Sequence, residues 1–357
     1  MSSWDGQAWG FRGATAVVDH AVHTPYSDPG EHAALVTLLP IEPAPLSAVA
    51  RNLIVHYRAS GHELPEVTRD EVNARWVERI LAADQGRHPW PLDRPREVTS
   101  RVQGCCRDHT LFCVATLRTH GVPARSRVGF AGYFVEGWHH DHVVVDAWLD
   151  GRWRRFDSEI DGPRAGLSTP MDISPEPPGG SGFVTAAQVW ATYRRGDIDP
   201  DAYGVDPEMQ LFRGPRFLFD EVIYEVAHRF GDEMLLWDAW GRIGEPGSPV
   251  TDQDARWLDG VATVLLGADA GDLDAERRLF AKYRDDEGLH PGPTVLQASP
   301  SARTERGRIT CTSKPWLTPC GSATPRASEM PSSAHRSTAR YFGGIVGWPM
   351  AATTLCE

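Results

Sequence analysis

From about Cys106 onward the chain reads CRDHTLFCVATLRT, which sets Leu111, Phe112, Cys113, Val114, Ala115 and Leu117 around nearly every side of a helix. A helix with almost no polar face has to be covered on most sides by its own domain. Its end is well marked. Arg118 and His120 fall in the last turn, Gly121 fits the left-handed position after it, and Pro123 blocks continuation. Its start carries two adjacent cysteines, Cys105 and Cys106, behind Gly104. Unpaired N–H groups and the positive end of the helix dipole favour a thiolate at such a place. Gly104 would let a substrate backbone approach, and a free N–H at the helix start could receive a developing oxyanion. The same residues also read as two small side chains opening a helix, with Asp108 in the first turn raising a nearby thiol pKa.

A nucleophilic cysteine needs a base and a group to orient it. The segment WHHDHVVVDAWLDGRWRRFDSEI offers both. Asp150-Gly151 is a two-residue hairpin signal that pairs Leu149 with Arg152. Counting back, His142, Val144, Asp146 and Trp148 share one face with Glu159, Asp157, Arg155 and Trp153. His142 and Asp157 are then diagonal neighbours, and Glu159, directly opposite His142, is the rival orienter. Asp146 opposite Arg155 is a cross-strand ion pair. Val143, Val145, Ala147, Leu149 and Phe156 form the other face, which is apolar enough to pack on the buried helix.

The helical signals before this segment are SDPGEHAALVTLLP, residues 46–61 and residues 68–86, the first with Asp28 as N-cap, Glu31 in a capping box and Pro40 as a stop. Residues 122–160 alternate as an antiparallel sheet. After a Pro/Gly-rich loop at 174–182, the pattern is helical again, including the whole of PRFLFDEVIYEVAHRFGDEMLLWDAWG. The expected organisation is a helical region 1–100, a core 101–165, a mainly helical region 166–296 and a tail 297–357. The tail has seven Lys/Arg against three Glu and few apolar residues, the composition of a disordered or out-of-frame extension. With 36 basic and 48 acidic side chains and no basic stripe, the chain is not expected to bind nucleic acid. No apolar run suits a membrane span or signal peptide, so a cytoplasmic location is expected. Six irregularly spaced cysteines are expected to be thiols.

Residues 104–130, GCCRDHTLFCVATLRTHGVPARSRVGF, resemble the Gly-x-Cys opening, helix and Gly-Val-Pro-Ala-Arg strand of the transglutaminase-like superfamily. DHVVVDAW (141–148) resembles its histidine strand and RWRRFDSEI (152–160) its aspartate strand. The resemblance implies an α+β, papain-like core: a helix with cysteine at its N-terminus, packed on a small antiparallel sheet, here with helical flanks similar to those of bacterial proteins carrying the domain in mid-chain. It implies Cys106 as nucleophile, His142 as base and Asp157 as orienter. It also implies acyl transfer or hydrolysis at peptide, isopeptide or glutamine amides through a thioester. The chain departs from the family pattern in two ways: Val143 and Val144 stand where an aromatic usually follows the histidine, and His109 stands where one usually follows Arg107-Asp108. A catalytically inactive binding scaffold is therefore an alternative. A zinc site drawn from Cys105, Cys106, His139, His140 and His142 is another, although neither Cys-x-x-Cys nor His-Glu-x-x-His spacing occurs. No calcium-loop motif is present, and no cofactor or metal requirement is expected.

Overall fold

The computed structural model describes residues 17–301 and the strand backbone of 304–308. Two short helices, α1 (Ala33–Val36) and α2 (Pro43–Leu53), lead into strand β1 (Ile54–His56). A 3-10 segment, Glu66–Asn73, and helix α3 (Val77–Arg87) follow. Strand β2 (Val102–Gly104) then lies parallel to β1 and delivers the chain to α4 (Cys106–Thr119). Two expected helices are thus shorter than their periodicity. The one over 46–61 stops at Leu53, where Ile54 turns extended and pairs with Val102; β-branched residues with a strand partner outweigh helical spacing. The one over 68–86 breaks at Ala74–Trp76. There the Arg75 side chain reaches Asp238 and its carbonyl accepts from Arg107 Nη2 at 2.6 Å, a carbonyl that a continuous helix would have consumed.

Helix α4 is buried from Cys106 to Arg118. It ends as expected: Gly121 has φ 72°, and the Val122 N–H returns to the Leu117 carbonyl. Beyond it lie β3 (Ala124–Val135), β4 (Trp138–Leu149) and β5 (Arg152–Phe156). The β4–β5 turn has positive φ at both Asp150 and Gly151. The register runs from Leu149 opposite Arg152 to Val145 opposite Phe156, as the turn dictates. The sheet is completed by β6 (Phe183–Thr185), antiparallel to β3, and β7 (Tyr203–Gly204), parallel to β4. One face, with Val143, Val145, Ala147 and Phe156, joins the main core with Leu111, Phe112 and Val114 of α4. The other, with Ala131, Tyr133, Val144 and Phe183, is closed by Ile160, Leu167 and Ile173 from the loop after β5. This is the expected α+β core with helical flanks.

The remaining helices are α5 (Ala186–Arg195), α6 (Gly214–Arg229), α7 (Asp252–Asp269) and α8 (Leu273–Asp285). The helix expected through residue 241 ends at Arg229, and Gly231 follows at φ 89°. Next, Glu233 turns its buried carboxylate to Arg118 Nη1 at 2.8 Å and to Thr24 Oγ1 at 2.6 Å. Its carbonyl accepts from Arg107 Nε at 3.1 Å, so Glu233 is clasped from both ends of α4. Arg127, on β3, is likewise buried between Glu225 and Asp269. Strand β8 (Asp238–Ala239) pairs with β9 (Thr294–Ala298), which pairs with β10 (Thr304–Arg308). Residues 297–298 and 304–308, at the start of the expected disordered tail, therefore lie in strands; residues 309–357 lie outside the described residues. Among the described residues, no helix is long and apolar enough to cross a membrane.

Candidate active site

The two cysteines at the mouth of α4 have different surroundings. Cys105 is the N-cap: its N–H donates to Asp108 Oδ2 at 2.9 Å, and its sulfur faces the backbone N–H of the third helical residue. Cys106 is the first helical residue. Gly104 serves the protein's own packing. A Cβ there would sit 2.8 Å from the capping oxygen of Asp108 and 2.9 Å from Ile54 Cγ2, so its smallness admits β1 and the cap rather than a substrate. His109, one turn on, has its ring nitrogens at 2.9 Å from the Cys105 carbonyl and 3.2 Å from that of Ile54, the position of a structural helix residue.

A hydrogen bond from Thr110 Oγ1 to the Val143 carbonyl, 2.8 Å, fastens α4 to β4 beside the site. It aligns the first turn of α4 with the middle of β4, and so brings Cys106 to His142. The Cys106 sulfur, a ring nitrogen of His142 and a carboxylate oxygen of Glu159 lie within 4.8 Å of one another. His142 Nε2 donates to Asp157 Oδ2 at 2.8 Å. Asp157 lies just past the paired part of β5, its N–H donating to the Pro170 carbonyl at 2.9 Å. The ladder therefore ends three residues short of the Glu159–His142 pairing that the turn register extrapolates to, yet both carboxylates stay at the histidine. Arg51, from α2, holds the loop they start by donating to the Ser158 and Ile160 carbonyls. Cys106 is 6% exposed, His142 3% and Asp157 0%.

Two partners of His142 were not visible in the sequence. Tyr133 donates its hydroxyl to Asp157 Oδ2 at 2.7 Å, and its ring and that of Phe134 meet the imidazole edge-on at 6.2 and 5.1 Å. They supply the aromatic wall that Val143 and Val144 do not. Both side chains can reach His142 because β3 is irregular here: residues 132–134 stand against the single residue His139 of β4. An alternating strand would have turned one of them away. The run Tyr133-Phe134 beside a histidine strand was the available signal. A third residue that the sequence did not mark, His56 from β1, meets Glu159 rather than His142. Its Nδ1 accepts from the N–H groups of Arg58 and Ala59, which leaves the proton on Nε2, 3.9 Å from Glu159 Oε1.

The electrostatics run against a resting thiolate. The hydrogen bond with Cys105, burial, and the charges of Glu159 and Asp141 push the Cys106 thiol well above its ordinary pKa, outweighing the effect expected of a helix start. For His142, burial alone would lower the pKa, but Asp157, through charge and hydrogen bond, with help from Glu159 and Asp141, raises it. Asp157 itself is held below the usual carboxylate range: burial opposes this, and the charge and hydrogen bond of His142, then the bonds from Tyr133 and Glu159, overcome it. Burial pushes Asp141 up to about 6 despite Arg58 and His142. The resting pair is therefore a neutral thiol beside a readily protonated imidazole.

Of the five side chains weighed as zinc ligands, Cys106 and His142 come together, while Cys105 caps the helix. His139 stacks on Tyr203 at 4.2 Å, and His140 Nδ1 meets the Val205 carbonyl. A separate cleft lined by Trp240, Arg284, His290 and Thr294 contains none of these residues.

No curated protein matches the chain. One similar solved structure is that of a protein from Cytophaga hutchinsonii, proposed to be a cysteine protease. It is 17% identical over 47% of this chain and 46% of that one, with a TM-score of 0.27, a likeness too loose to bear on the fold. Residues 62–158 match the core of the transglutaminase-like superfamily, a stretch that begins well ahead of residue 101 and closes just after Asp157. That stretch holds the helix-mouth cysteine, the histidine strand and the following aspartate, and over it the chain is similar to the transglutaminase-like superfamily.

Proposed function

We propose that this protein is a cysteine-dependent acyl transferase or hydrolase acting on amide bonds of peptides or proteins, with Cys106 as nucleophile, His142 as general base and acid, and Asp157 as the group that orients the imidazole. The observation that carries the reading is a sulfur at the first position of α4 within 4.8 Å of a ring nitrogen of an imidazole whose Nε2 is tied to a buried carboxylate at 2.8 Å. With Nε2–H committed to Asp157, Nδ1 is the nitrogen left to take the thiol proton as sulfur attacks the carbonyl carbon. The Cys106 N–H, at the first position of α4, has no intrahelical acceptor and is free to receive the developing oxyanion. The protonated imidazole then gives its proton to the departing amine, leaving a thioester. Water, activated by the same nitrogen, releases the acid; an amine would complete a transfer instead. Hydrolysis is the default, because no amine site is marked. The aromatic wall from Tyr133 and Phe134 favours this reading over an inactive scaffold, whose support was the pair of valines.

A neutral resting thiol makes the reaction depend on an unprotonated His142. Cys106-specific alkylation by iodoacetamide, mapped by mass spectrometry, should therefore rise with pH through the raised His142 pKa, above the ordinary value of about 6.5. The His142→Ala variant should lose this limb and react only in the alkaline range of an isolated buried thiol. Equal profiles for the two proteins, or modification at Cys105 in place of Cys106, would overturn the proposal.

A further inference from the structure

The nucleophile and base share their corner with a third donor that the proposed reaction does not use. Glu159 brings a carboxylate oxygen to within 4.8 Å of both the Cys106 sulfur and a His142 nitrogen, and these three form the one group of metal-ligating side chains of this kind among the described residues. We infer that this corner binds a single zinc ion through Cys106 Sγ, His142 Nδ1 and a Glu159 oxygen, and that the bound ion withdraws nucleophile and base from acyl chemistry. As regulation of the same site, this rests on the reading above.

The donor set suits the ion. Thiolate, imidazole and carboxylate are zinc's ordinary ligands, and three of them with one position left open is a familiar arrangement. Tetrahedral zinc bonds place donor atoms roughly 3.3–3.6 Å apart, so the side chains need to close by about 1 Å. Both harder ligands have supporting partners. His142 gives Nε2–H to Asp157, which fixes the tautomer and presents Nδ1, and Asp157 is itself held by the Tyr133 hydroxyl and the Glu159 N–H. Glu159 faces the Nε2–H of His56, whose other nitrogen is anchored by two backbone donors. Such carboxylate–histidine–metal relays typify zinc centres.

Charge points the same way. Asp157 and Glu159 bring two carboxylates to one imidazole and one thiol, an arrangement that a dication complements. Zinc takes the thiolate and an unprotonated imidazole nitrogen as ligands, so its binding releases the thiol proton while Asp157 keeps its hydrogen bond to Nε2–H.

The test is cobalt(II) titration of the full chain with zinc competition, because cobalt–thiolate coordination has its own near-ultraviolet charge-transfer band. The expected result is one metal per chain, a band abolished in Cys106→Ala and retained in Cys105→Ala, and affinity at least tenfold weaker in Glu159→Gln. Zinc should also protect Cys106 from iodoacetamide in the native protein and fail to do so at the same concentration in Glu159→Gln, an isosteric change whose folding is checked by its thermal melt. A band that survives Cys106→Ala, undiminished affinity in Glu159→Gln, or no thiolate band at all would overturn the inference. Metal binding without His142-dependent alkylation would sink the proposed reaction and leave the zinc site standing; the converse would sink the zinc site alone.

Discussion

Asp157 accepts from three donors at once, the His142 ring, the Tyr133 hydroxyl and the Glu159 N–H, in a fully buried position. Its pull on the imidazolium depends on how much of its charge the other two share. In Tyr133→Phe the share returns to His142, so the rising limb of the alkylation profile should move to higher pH. In Glu159→Gln, measured in chelator, a negative charge beside both groups is removed. Imidazolium and thiol are each stabilised less, and the limb should move to lower pH. Shifts of the same sign in the two variants would contradict this distribution of charge around the imidazole. The sequence made Asp157, His142 and Glu159 legible because a two-residue turn fixes which side chains share a face. It concealed Tyr133 and Phe134, because the irregularity in β3 interrupts the strict alternation between Ala131 and Val135 without any local residue that demands it.

At the level of elements, α4 is positioned by what its ends can do. The stop at Gly121 is written locally, in a residue free to take positive φ, and so it was readable. The start depends on contacts from afar: β1 lies against β2, and the smallness of Gly104 lets Ile54 and the Asp108 cap close over the helix mouth. Gly104→Ala should displace one or the other, costing about 1–3 kcal/mol by the usual scale of overpacking, measured as a lower urea midpoint. Because the displaced cap carries Cys105 and Cys106 with it, Cys106 alkylation should slow as well. A variant as stable and reactive as the parent would mean that the cap does not hold the cysteines. The same dependence on distant partners explains why α2 and α3 are shorter than their spacing implied. Ile54 pairs with a strand nearly fifty residues on, and Arg75 reaches a carboxylate at Asp238. Neither partner is visible in a local window.

For the molecule as a whole, Glu233 ties three parts of the chain into one unit, receiving Thr24 from the N-terminal segment and Arg107 and Arg118 from the two ends of α4. Replacing one member of a buried ion pair typically costs about 3–5 kcal/mol, because the other charge stays buried without a counterpart. Glu233→Gln should therefore lower the denaturation midpoint substantially while keeping a single transition; a loss below about 1 kcal/mol would show Arg118 to be compensated elsewhere. The clasp also limits the autonomy of the stretch that carries the family signature. Arg75, Arg107, Arg118 and Arg127 all lie within residues 62–158, and each has an acceptor beyond it, at Asp238, Glu233 or the Glu225–Asp269 pair. An excised fragment of those residues would take these acceptors from four arginines and uncover the apolar surface around them, and for this protein the smallest foldable piece is set by the arginines rather than by the borders of the signature.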